Sequence, residues 1–249
     1  MNLKDIFFQD KTVYFYKKWY NTVITILKKQ NMQFKIAQHK DKLTDEAYNK
    51  AMIELNEFYE INWKYNKPHI IIIDDRKTID AWRGFKTGEW NAAWADKNKW
   101  IFILNRKNLE KESNHAYSKE TYFARINHEL SHSFFYILSQ NGSCPSWFKE
   151  GLSIYTSGQN RWKQVPEKFK LFLSFNKQFC NEGGIGLYGE SGFVVKLLIE
   201  KFGKKKLLNL IKQSKNSKNN TDFKKLFAKI YGFNLNYRNI NNLYNKKIN

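Results

Sequence analysis

Five consecutive residues, His128-Glu129-Leu130-Ser131-His132, hold side chains whose types and spacing suit metal chemistry. Residues four apart on an α-helix share a face, so both imidazoles can reach one cation, while Glu129 is rotated toward a water held there. Two imidazoles leave such a centre one protein ligand short. The segment Ser146-Trp147-Phe148-Lys149-Glu150-Gly151-Leu152 supplies a candidate, Glu150, eighteen positions after His132 and at the opening of a second predicted helix. Two His and one Glu make a three-ligand zinc site with its fourth position free for water, whereas structural sites usually fill all four positions from the protein. The expected cofactor is therefore one Zn2+ ion on His128, His132 and Glu150.

The elements that must position these groups follow from periodicity and caps. Ser118 can cap a helix running through Phe123, Ile126, Leu130, Phe134 and Leu138 until Gly142 breaks it. Before it, Thr44 to Trp63 reads as a helix capped by Thr44, and Ile70 to Ile73 as a buried strand ending at a turn or cap at Asp74 and Asp75. Ala93 to Ala95 and Trp100 to Leu104 read as two extended segments joined by a turn. After Gly142 the chain turns mainly helical, with candidates at Phe148 to Tyr155, Glu190 to Phe202, Lys204 to Gln213 and Asp222 to Tyr231. Residues 1–30 read as a helical extension and Met32 to Ala37 as a short strand. The expected organisation is a catalytic domain over 31–249, with an N-terminal lobe to about residue 141 and a helical lobe from 142, meeting at a cleft.

H-E-x-x-H followed by a tryptophan and then Glu-Gly resembles the gluzincin metallopeptidases, and within them the compact peptidase-MA-like domains. That resemblance is strong over His128 to Tyr155 and looser over the rest of Met32 to Asn249. It implies an α+β, zincin-like fold, in which a small mixed sheet packs beside the zinc helix and a helical lobe closes the cleft. It also implies that Glu129 is the general base of peptide-bond hydrolysis on a peptide or protein substrate. Tyr188, in Gly186-Leu187-Tyr188-Gly189-Glu190, resembles the tyrosine that related enzymes place just before a helix to donate to the oxyanion; Tyr155 and Tyr231 are weaker candidates. Ala93 and Trp94 resemble the edge strand on which zincins pair extended substrate.

Two departures narrow the expectation. The Gly-x-Met-Glu-Asn element of the large aminopeptidases is absent where this chain reads Asn91-Ala92-Ala93-Trp94-Ala95, which favours an endopeptidase. The aspartate that thermolysin-like enzymes place four residues after the ligand glutamate is replaced by Ile154, so another acceptor must orient a zinc imidazole. His39, His69 and His115 have no ligand spacing and read as ordinary histidines.

Composition is less specific. The 43 Lys and Arg against 23 Asp and Glu give +20, a charge that can attract nucleic acid, anionic lipid or acidic substrates. The lysines are spread along the chain, however, amid the Asn, Ile, Phe and Tyr that an A- and T-rich genome favours. A basic binding protein is thus one alternative, and a zincin-fold scaffold or sensor with little turnover is another. No nucleic-acid motif is present. Cys144 and Cys180 are too few for a disulfide scaffold, though one bridge stays open. With no signal peptide or membrane-length apolar run, the sequence as written reads as cytoplasmic, an exported or tethered form staying open if it is trimmed.

Overall fold

The computed structural model describes residues 40–174 and 187–245. The expected N-terminal helix, the strand at Met32 to Ala37, and Cys180 lie outside them. The first described helix, α1 (Lys42–Tyr59), starts earlier than Thr44 because the Asp41 carboxylate accepts from the backbone N–H groups of Leu43 and Thr44. Strand β1 (His69–Ile73) follows, then a short helix α2 (Arg76–Arg83) whose N-cap is Asp75. Strands β2 (Ala93–Asp96) and β3 (Trp100–Leu104) come next, with a one-turn helix α3 (Leu109–Glu112) behind them.

Among the described residues the sheet has the order β1-β3-β2, parallel between β1 and β3 and antiparallel between β2 and β3. Alternation along the strands divides the apolar residues between two faces. Ile101, Ile103, Ile70, Ile72 and Ala93 join the main core, while Phe102, Leu104, Ile71, Ile73 and Trp94 pack with Ile79 and Leu109 on the other side. Only Ile73 of β1 is fully buried among the described residues, so the four-isoleucine run is less enclosed than its composition suggests.

Helix α4 (Lys119–Ser139) has the expected start, a Ser118–Thr121 capping box, and lies against α1 and the sheet. Its end differs. Gln140 and Asn141, both at positive φ, turn the chain before Gly142 is reached. Gly142 has another role: a Cβ there would fall within 2.0 Å of the Ser214 carbonyl oxygen, so only glycine lets these backbones meet. The Ser143 N–H then donates to the Ser217 carbonyl at 2.8 Å. Between these contacts and the next helix sits Cys144, a buried thiol whose pKa burial pushes up to about 11.

The remaining helices are α5 (Ser146–Thr156), α6 (Leu187–Phe202), α7 (Lys204–Gln213), α8 (Asn220–Tyr231) and α9 (Tyr237–Asn245), with a 3-10 turn at Gln159–Trp162 after α5. The chain is therefore α+β, with all described strands ahead of residue 141 and helices alone after 146. One apolar core is continuous from Ala47 of α1 to Ile240 of α9. Glu190 of α6, itself buried, accepts the backbone N–H groups of Lys170, Leu171 and Phe172 at 2.8 to 3.1 Å. That carboxylate holds the 170–172 segment against the helical half, supplying acceptors that an irregular backbone would otherwise lack.

Candidate metal centre

Two helices bring the proposed ligands together. α4 carries His128 and His132 one turn apart, and α5 returns Glu150 to them. The Glu150 Oε2 atom lies 3.3 Å from His128 Nε2 and 3.6 Å from His132 Nε2, and the ligand atoms of all three residues lie within 4.8 Å of one another. Ligands about 2.0–2.1 Å from a tetrahedral zinc stand roughly 3.3 Å apart, which the two Glu–His distances match closely. Burial alone would raise the Glu150 carboxyl, but the His132 charge and hydrogen bonds from both imidazoles hold it well below the usual carboxylate range. Burial likewise depresses His132, yet the Glu150 carboxylate beside it prevails and raises its pKa. Three donor atoms thus converge in a largely buried place, and the donor set fits zinc.

The far nitrogens of both imidazoles are also engaged. His128 Nδ1 is 3.0 Å from the Gln159 side-chain oxygen, and His132 Nδ1 is 3.2 Å from the Ser153 hydroxyl. If each Nδ1–H donates to that oxygen, each Nε2 presents its lone pair to the centre, the tautomer a metal ligand requires. Ser153 stands one helical turn after Glu150, a spacing visible in the sequence once Ile154 is ruled out. Gln159 sits in the 3-10 turn beyond α5 and has no sequence signal.

Behind the centre, the variable positions of the pentapeptide fix the helix. Leu130 is fully buried, and Ser131 Oγ is 2.8 Å from the Tyr59 hydroxyl and accepts from Thr156 Oγ1 at 3.0 Å. A buried hydroxyl chain therefore ties α1, α4 and α5 together. Gly151, next to Glu150, lets α5 approach α6, because a Cβ there would lie 2.6 Å from the Ser191 carbonyl oxygen. The Glu-Gly pair places a candidate ligand and a close helix contact side by side.

The centre opens into a cleft of about 1020 Å³, whose walls include Glu129, Tyr188, Ala93, Trp94 and Ala95 together with the three ligands. Glu129 is buried to 8% exposure on the same helix as the imidazoles. Tyr188 reaches the cleft from inside the first turn of α6, not from ahead of the helix as expected. Helix α6 starts at Leu187, earlier than Glu190, since Gly189 does not interrupt it. Of the weaker candidates, Tyr231 is buried beside Phe227, and Tyr155 packs toward Phe58.

Strand β2 lies at one edge of the sheet among the described residues, and its Ala93, Trp94 and Ala95 border the cleft. The Ser133 hydroxyl of α4 donates to the Lys97 carbonyl, holding the β2–β3 turn against the ligand-bearing helix. The Trp94 ring itself turns to the outer face, where it stacks on Phe102 at 4.6 Å. His115 joins the cleft wall although its spacing gave no sign of it, and its Nε2 lies 2.8 Å from the Trp90 carbonyl.

The dense lysine run does not form a free basic patch: Lys204 pairs with Glu60 at 3.4 Å, and Lys206 lies over the Phe202 and Tyr231 rings. Among the described residues no helix is long and apolar enough to cross a membrane. No family model matches the chain, and neither a curated protein nor a solved structure matches it.

Proposed function

We propose that the protein is a zincin-like, zinc-dependent peptidase, acting as an endopeptidase on extended polypeptide. The observation that carries this reading is the convergence of His128, His132 and Glu150 within 4.8 Å on the wall of a cleft that also contains Glu129. A zinc ion held there would polarise the scissile carbonyl and bring the pKa of a bound water toward neutrality. Glu129, one residue after His128, is the base that takes the water's proton and later delivers it to the leaving amine. Tyr188, across the cleft on α6, donates its hydroxyl to the oxygen on which charge develops. The edge of β2 offers backbone groups to an extended substrate, so binding strength comes largely from main-chain hydrogen bonds. Gln159 and Ser153 keep the imidazoles aimed at the centre throughout.

Elemental analysis of the purified protein should give one zinc per chain, lowered in Glu150→Ala. Casein should be cleaved by the wild type and left intact after chelation or in Glu129→Gln. Protein that holds no zinc would remove the assignment. Zinc without cleavage would favour the scaffold or sensor alternative.

A further inference from the structure

The cleft wall includes a guanidinium that the proposed hydrolysis does not use. Arg125 stands three residues ahead of His128 on α4, and its Nε is sealed from solvent with no hydrogen-bond partner among the described residues. Buried guanidinium N–H groups are nearly always satisfied, so an orphan one on a residue that lines a cleft draws attention to that guanidinium as a place for an absent acceptor. The nearby carboxylate that acts on Arg125 through space is Glu129, which the proposed chemistry needs as a base. The rest of the wall has the same sign. Arg83, Lys97, Lys149 and Lys163 also line the cleft, whereas among the described residues its carboxylates are Glu129 and Glu150, both assigned to the proposed metal chemistry.

Building on the peptide-cleaving reading above, we propose that the cleft selects acidic polypeptide, with a substrate Asp or Glu side chain seated on Arg125. A guanidinium fork matches a planar carboxylate in geometry as well as charge. Side chains of an extended substrate along β2 project alternately to either side, and a projecting carboxylate can meet a guanidinium on the cleft wall. Four further cations around the cleft favour several substrate charges over one terminal carboxylate. A phosphodiester chain would keep its charges along the backbone and has no side-chain carboxylate to match the guanidinium fork.

The test separates binding from cleavage. Fluorescent peptides amidated at the C-terminus, one rich in Glu and one with Gln at the same positions, are titrated into full-length Glu129→Gln protein, with and without zinc. The acidic peptide should bind about tenfold tighter, the scale of one charge-assisted hydrogen bond. Adding Arg125→Gln should remove that preference, Arg125→Lys should keep part of it, and Arg125→Gln should unfold at no lower temperature than its parent.

An unchanged preference in Arg125→Gln would overturn the proposal, as would a Gln peptide with a free C-terminal carboxylate binding as well as the acidic one. Arg125-dependent binding of single-stranded DNA at the affinity of the acidic peptide would overturn it in favour of a nucleic-acid ligand. Loss of folding in Arg125→Gln would show a structural guanidinium and overturn it too. An Arg125-dependent preference in a protein whose wild type leaves casein and acidic peptides intact would uphold the subsite and sink the hydrolytic reading instead.

Discussion

The two sides of the cleft treat polar groups differently. At the candidate metal centre each imidazole has Glu150 on one nitrogen and an oxygen of Gln159 or Ser153 on the other. On the basic wall, the buried Nε of Arg125 has no such partner among the described residues. A group whose partners are built in is held in place before anything binds, and little reorganisation is needed when a metal arrives. A group without one is disfavoured in the empty protein and gains its partner from outside, which suits selection between ligands.

The contrast can be broken most severely at the metal side. Ser153→Ala and Gln159→Ala each free one imidazole, and each should weaken zinc binding by about 10–100-fold in competition with a chelating dye. If both variants bind zinc like the wild type, the imidazoles are oriented by something else. Gly151→Ala comes next. Its methyl group has to displace the Ser191 backbone, so chemical denaturation should show a loss of about 1–3 kcal/mol, with zinc affinity falling as Glu150 shifts. Ser131→Ala removes the 2.8 Å partner of the Tyr59 hydroxyl, leaving the longer 3.4 Å contact to the residue 131 carbonyl, and should cost about 1 kcal/mol of stability without changing the zinc stoichiometry. The smallest effect belongs to the basic rim: Lys97→Gln, at an exposed position, should alter stability by no more than about 0.5 kcal/mol. A large loss there would mean that the basic wall is as built-in as the metal side.

What could be read from the sequence divides along similar lines. His128, Glu129, His132 and Ser118 were legible because helix periodicity and capping are local rules, and the sheet segments Ala93 to Ala95 and Trp100 to Leu104 were legible from apolar runs separated by a turn, the first running one residue further, to Asp96. Glu150 was reachable because it opens the next helix. Gln159, His115 and Arg125 were not, since their part in the cleft depends on how the turn after α5, the segment after α3 and the wall beside β2 are folded together. Gly142 shows the same limit in the backbone: it reads as a helix stop, whereas Gln140 and Asn141 make the turn and the glycine serves a contact seventy-two residues away. The early start of α6 has a simpler origin, because Gly189 is a weak helix former that the packing of Leu187 and Glu190 overrides.

The joint between α4 and α5, where Gly142 and Ser143 meet residues 214–217, connects the helix of the two histidines to that of Glu150. Cys144 lies within that joint with its thiol enclosed and its ionisation suppressed. Because the thiolate is the reactive form, an alkylating reagent can modify Cys144 only as often as the joint opens to water. The labelling rate of Cys144 in a Cys180→Ser background is thus a chemical clock for the breathing of this joint, and on the proposed assignment it should slow when zinc is added.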